Sequence, residues 1–111
     1  MIYSQNLLLS ELLEIFEKEH HRNIYLVNSE GTLMGSISQG DILRGLQMGI
    51  SLKSRSIEFA QLNPIVLFEE PSKQKLVTFF IEKRIQSVPI INKNNKIVKI
   101  ITIEDAMKLL V

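Results

Sequence analysis

The sequence predicts an α+β fold made of two copies of one small unit. Three observations carry this. Apolar residues run through helical spacing, two short strand-like runs and helical spacing again, and they do so twice. A shift of 64 positions lays the second half over the first without a gap from His21–Leu46 to Ile85–Leu110. Finally, a strand end followed by a hydroxyl and, three residues on, an acid occurs at Ser38 and Asp41 and again at Thr102 and Asp105. Each half alone has a poor ratio of volume to surface. Two halves are therefore expected to pack on a pseudo-two-fold axis and share one core.

Taken in order, Asn6 suits a helix N-cap. Leu8, Leu9, Leu12, Leu13 and Phe16 then form one apolar helical face, with Glu11, Glu14, Glu17 and Lys18 on the wet side. His20, His21 and Arg22 interrupt the pattern. Residues 24–27 and 33–37 read as strands joined by the turn Ser29-Glu30-Gly31, where Gly31 can take a positive φ. Residues 38–46 form the next helix, with Ile42, Leu43 and Leu46 on one side, and Gly49 ends it. Residues 50–62 have no counterpart in the other half. They are too apolar for a free linker and predict an ordered connector with a helical turn near Ile57.

The second copy starts with an extended run at 65–68 after Asn63-Pro64. Pro71 suits the first turn of a helix carried by Leu76, Val77, Phe80 and Ile81. Strands at 88–91 and 97–101 flank a turn at 93–95, and a helix over 103–110 closes the chain. The shift pairs Gly31 with Asn95, two residue types that tolerate a left-handed backbone. The leading strand of the first copy is expected at or just before Met1, so that copy is expected to be truncated, as in a piece of a longer chain. The division is then 1–49 for the first repeat, 50–62 for the connector and 63–111 for the second repeat.

Composition limits the function. Thirteen basic residues nearly balance twelve acidic ones, so no broad field draws the chain to nucleic acid or to a membrane surface. Without cysteine there is neither a disulfide framework nor a thiolate metal site. There is no secretory leader and no apolar run long enough to span a bilayer, which leaves the cytoplasm as the expected location. No nucleophile–base set, metal cluster or phosphate-cradling glycine loop is present, so an independent enzyme is not expected. His20 and His21 have no third ligand in view and read as a solvated helix end.

The junctions Gly35-Ser36-Ile37-Ser38-Gln39-Gly40-Asp41 and Lys99-Ile100-Ile101-Thr102-Ile103-Glu104-Asp105, with Asn63-Pro64-Ile65 and Ser87-Val88-Pro89-Ile90, resemble a tandem pair of CBS domains. Lys99 departs from the glycine of that pattern. The connector, from Leu43 to Ile65, is similar to pairs that precede sugar-phosphate nucleotidyltransferase domains. The resemblance implies a regulatory module that binds an adenosine nucleotide (AMP, ADP or ATP), forms a homodimer and is attached to a catalytic domain. It implies no other cofactor. It assigns the ligand to Asn63, Pro64, Ile65, Ser87, Val88, Pro89, Thr102 and Asp105 in the second repeat, and to Ile24, Tyr25, Ser38 and Asp41 in the first.

The residue chemistry is compatible with that assignment. A carboxylate accepts two ribose hydroxyls, and a hydroxyl beside helix N–H groups suits a phosphate. Arg22, Arg84, His20 and His21 could meet phosphates. Both hydroxyl–acid pairs equally fit helix capping boxes, a purely structural role. The same family reading leaves a dimerisation scaffold with vacant pockets as the alternative. The second pocket is expected to be the more complete, because the first lacks its leading strand. Ile42, Leu46, Phe79 and Leu110 exceed what one core needs and mark an expected dimer face.

Overall fold

The computed structural model describes residues 1–19 and 23–108. His20, His21, Arg22 and Leu110, which carry sequence-based expectations, lie outside the described residues. The fold is α+β and divides into two compact units, Met1–Pro64 and Ile65–Val111.

The first unit runs β1 (Ile2–Ser4), α1 (Leu9–Glu19), β2 (Asn23–Val27), β3 (Leu33–Ser38) and α2 (Gln39–Gln47), followed by a 3₁₀ turn at Ser56–Phe59. Its sheet has the order β1-β2-β3, with β1 parallel to β2 and β2 antiparallel to β3. β1 corrects the expectation of a truncated first repeat. Tyr3 pairs with Leu26 in its sheet. The second unit runs α3 (Lys73–Lys83), β4 (Ser87–Ile91), β5 (Ile97–Thr102) and α4 (Ile103–Lys108). β4 and β5 are antiparallel, and Leu67 forms a parallel bridge to Ile90. That bridge is the 64-shifted image of Tyr3 against Leu26. The leading segment therefore pairs in both repeats, as a three-residue strand in the first and as a single bridge in the second.

The repeat extends to atomic detail. Asn28 Oδ1 accepts from the backbone N–H of Glu30 and Thr32 at 2.9 and 3.0 Å. Asn92 Oδ1 does the same for Asn94 and Lys96 at 2.9 and 3.1 Å. Gly31 and Asn95 both have positive φ, at 83° and 60°. Each hairpin shifts register at the same step, Leu26/Val27 and Ile90/Ile91. Leu12, Ile24, Leu26, Ile37 and Ile42 are buried together in the first unit. Their shifted counterparts Leu76, Val88, Ile90, Ile101 and Ala106 are buried together in the second.

Three local expectations change. Asn6 does not cap α1. The helix's leading N–H groups, on Leu9 and Ser10, donate instead to the carbonyls of Ser54 and Leu52 at 2.9 and 3.1 Å. Pro71 precedes α3 rather than entering it, since Ser72 is the N-cap and its Oγ accepts from Lys75 N. On α2, Ile42 is buried while Leu43 and Leu46 are exposed. The helix turns Gly45 inward because the connector lies there: a Cβ on Gly45 would come within 2.4 Å of Ile50 Cδ1. Ile42 is thus core and not part of an exposed face. Phe79 is half-buried and packs on the second unit's cluster.

The connector is ordered and belongs to the first unit. Ser56 donates to Leu7 O through both N (2.7 Å) and Oγ (2.6 Å). Ser36 and Gln61 exchange both backbone bonds, at 2.9 and 2.8 Å. Gly35 makes this pairing possible, because a Cβ there would sit 2.9 Å from Gln61 O. Among the described residues no helix is long and apolar enough to cross a membrane.

Candidate functional site

Each strand-to-helix junction is a reciprocal cap. At the first, Ser38 is the N-cap of α2. Its Oγ accepts from Asp41 N at 3.3 Å and donates to Asp41 Oδ2 at 3.0 Å, while Ser38 N donates to the same Oδ2 at 2.8 Å. At the second, Thr102 N donates to Asp105 Oδ2 at 2.9 Å and Asp105 N donates to Thr102 Oγ1 at 3.1 Å. Backbone geometry dictates this arrangement. An extended residue that opens a helix leaves free N–H groups, and an acid at the third helical position reaches back to them.

Beyond the caps the two acids differ. Asp41 is only 4% exposed. Its Oδ1 accepts from Arg44 Nη2 at 2.5 Å and from Gln61 Nε2 at 3.0 Å. Burial pushes its carboxyl up. Hydrogen bonds from Gln61, the Ser38 backbone, Arg44 and the Ser38 hydroxyl outweigh that and hold it below the usual carboxylate range. Asp105 is exposed. The Thr102 backbone N–H is the main cause holding its carboxyl low, against a smaller opposing effect of burial, with help from the Thr102 hydroxyl, Lys108 and Lys99. Its Oδ1 has no hydrogen-bond partner among the described residues. Lys99, which replaces glycine in the junction pattern, reaches out to Glu70 Oε1 at 3.0 Å.

The other candidates fall around these junctions unevenly. Ser87 stands opposite Thr102 across the β4–β5 ladder, so the two are brought together. Val88 lies in the core of the second unit, and Pro89, on the other face of β4 by strand alternation, is also buried. Pro89 O accepts from Leu67 N at 3.0 Å, which sets the leading segment, with Ile65 exposed ahead of it, beside β4. Asn63 and Pro64 fall at the end of the first unit. Ile24 lies in the first unit's core. Tyr25 is buried, and its hydroxyl accepts from Asn23 Nδ2 at 3.2 Å. Arg84 is the exposed C-cap of α3 in a left-handed conformation.

Sequence reasoning missed Arg44 and Gln61. Arg44 was legible as an i,i+3 partner of Asp41. Gln61 left no local signal, since it reaches Asp41 from the connector. Among the described residues no group of three or more His, Cys, Asp or Glu could hold a metal. What the second junction can do is accept hydrogen bonds from donors in solution, beside a hydroxyl.

A family model for the CBS domain matches residues 4–47 and 57–111. The chain belongs to the CBS domain family. The first match lies within the first unit, and the second match begins inside that unit, at residue 57, and runs through the second. An uncharacterised protein of Helicobacter pylori is 31% identical over 99 residues, which cover 88% of this chain and 30% of that protein. The CBS chain therefore spans less than a third of that curated relative. Among solved structures, the CBS domain pair of protein MJ0100, in complex with 5′-methylthioadenosine and S-adenosyl-L-methionine, is 23% identical with a TM-score of 0.77. It is covered over 91% of its length by 100% of this chain. CBSX2 in complex with AMP is 15% identical with a TM-score of 0.83, covering 99% of this chain and 86% of its own. At these identities the likeness speaks to the CBS fold.

Proposed function

We propose that this CBS pair is the nucleotide-sensing regulatory part of a larger cytoplasmic protein, and that an adenosine nucleotide binds at the second repeat. The observation that carries this reading is the exposed Asp105 carboxylate, whose Oδ1 has no partner among the described residues, held beside Thr102 by a reciprocal cap. A ribose diol can donate to such an oxygen. We assign Ser87 and Pro89, on one face of β4, and Ile65 ahead of it to the strand side of this site, whereas Val88 faces the core. Similar folds carry AMP, 5′-methylthioadenosine or S-adenosyl-L-methionine, which supports an adenosine ligand. The module itself is non-catalytic. The match to under a third of a longer relative supports an attached domain, which the connector's resemblance assigns to the sugar-phosphate nucleotidyltransferases.

A homodimer completes the reading. α3 and α4 leave an apolar groove lined by Val77, Phe80, Ile81, Ile103, Ala106 and Met107. Ile81 and Met107 on its rim are 70% and 54% exposed, and a second copy is the commonest cover for such a face. The deciding experiment is a thermal-shift series with AMP, ADP, ATP and S-adenosylmethionine. Binding at a hundred times Kd adds about 2.7 kcal/mol of stability, which the method resolves. No shift with any of them at millimolar concentration would leave the chain as a dimerisation scaffold.

A further inference from the structure

The acid of the first repeat is already occupied by this chain's own side chains. A carboxylate offers about four acceptor positions. Asp41 Oδ2 is taken by Ser38 N and Oγ, and Oδ1 by Arg44 Nη2 and Gln61 Nε2. The two pairs of contacts are not alike. The Ser38 contacts are part of the cap and are needed by α2. The other two come from arms at the surface: the Arg44 side chain is 63% exposed, and Gln61 is exposed. Either arm can swing into water without unfolding anything. Removing them would leave Asp41 in the state in which Asp105 is found, capped on Oδ2 and unpartnered on Oδ1.

We propose that Gln61 and Arg44 form a latch on the first junction, so that a ligand bearing a vicinal diol reaches Asp41 only after Gln61 has left it. The latch is built into the backbone. Gln61 is delivered by its two backbone bonds to Ser36, at 2.8 and 2.9 Å, on a stretch of β3 that only a glycine at position 35 lets the connector approach. The second repeat cannot copy it. The shift puts Lys99 at the position of Gly35 and Lys108 at that of Arg44, and the connector occurs once. The connector backbone keeps its bonds to Ser36 when the Gln61 side chain leaves, so the latch can open and close without moving the connector. This inference rests on the reading of the second junction as a nucleotide site.

Equilibrium dialysis with AMP tests it by stoichiometry on the full chain. The wild type is expected to bind one AMP per chain. The double variant Gln61→Ala/Arg44→Ala is expected to bind two, and adding Asp41→Asn to it should return the number to one. Gln61→Glu, which keeps the side-chain length but sets a like charge against Asp41, serves as the second variant should the double variant melt early. Two AMP per chain in the wild type would overturn the latch, as would a count that stays at one in both unlatched variants. A count of zero in the wild type and one in the variants upholds the latch and removes the second-site reading. Zero throughout removes both.

Discussion

At the scale of the residue, the two junction acids show how one motif takes on two states. Asp105 is exposed, and on the proposed reading its removal takes a diol contact from the nucleotide. A hydrogen bond to a charged group is worth about 1.5–3 kcal/mol, so Asp105→Ala is expected to weaken AMP binding by roughly ten- to hundred-fold. Calorimetry on folded protein checks this, since the variant also loses a cap worth up to about 1 kcal/mol. Asp41 works mainly on stability. Its folded pKa lies below the ordinary value of 3.8. The stability it supplies is therefore complete above that value and is lost as pH falls through the folded pKa. Melting curves should show wild type above Asp41→Asn at neutral pH, with the gap closing once the pH drops below the ordinary carboxylate range. A gap independent of pH would mean that the charge contributes nothing. Arg84, with φ at 56°, pays a steric cost that glycine avoids. Arg84→Gly should raise the denaturation midpoint by the equivalent of about 0.5–1 kcal/mol, the left-handed penalty less the entropy glycine loses on folding.

At the scale of the element, the connector is what distinguishes the two repeats. It caps α1 with its carbonyls, presses Ile50 and Phe59 against Gly45 and pairs Gln61 with Ser36. This explains why glycines stand at 35 and 45 and not at 99, the shifted position of Gly35. Gly35→Ala would force a methyl to within 2.9 Å of a backbone oxygen and 3.3 Å of Ala60 Cβ. Overpacking of this kind costs about 1–3 kcal/mol. The loss should appear in denaturant melts together with faster amide exchange at Gln61; exchange unchanged at Gln61 would show that the connector is not held there. Leu9 belongs to the same argument. It is buried in the first core, whereas the shifted position is the exposed Lys73, because no second connector covers that helix start.

At the scale of the whole molecule, each repeat carries a core that its own helices and strands build, and the second leaves the α3–α4 groove open. If that groove receives a second copy, Ile81→Lys should shift sedimentation at micromolar concentration from dimer to monomer. Circular dichroism should stay unchanged, because Ile81 is outside the buried cluster. Monomer in both proteins would remove the dimer from the proposed function.

The sequence by itself determined the α+β class, the two repeats and their register, because those follow from apolar spacing and turn chemistry within a few residues. Gly31 and Asn95 in left-handed turns, Ser38 and Thr102 as caps, and the ordered turn around Ile57 were all legible in this way. The leading strand at Ile2–Ser4 was open to the same reading, since the shift carries 65–68 onto 1–4; the expectation of a truncated repeat placed it too early, and pairing with β2 makes it a strand. What only the tertiary structure decided is which acid is open. Gln61 meets Asp41 across 20 positions of sequence, and a contact of that range leaves no spacing to read. It exists because the connector docks on β3, and the docking depends on the space beside Gly35.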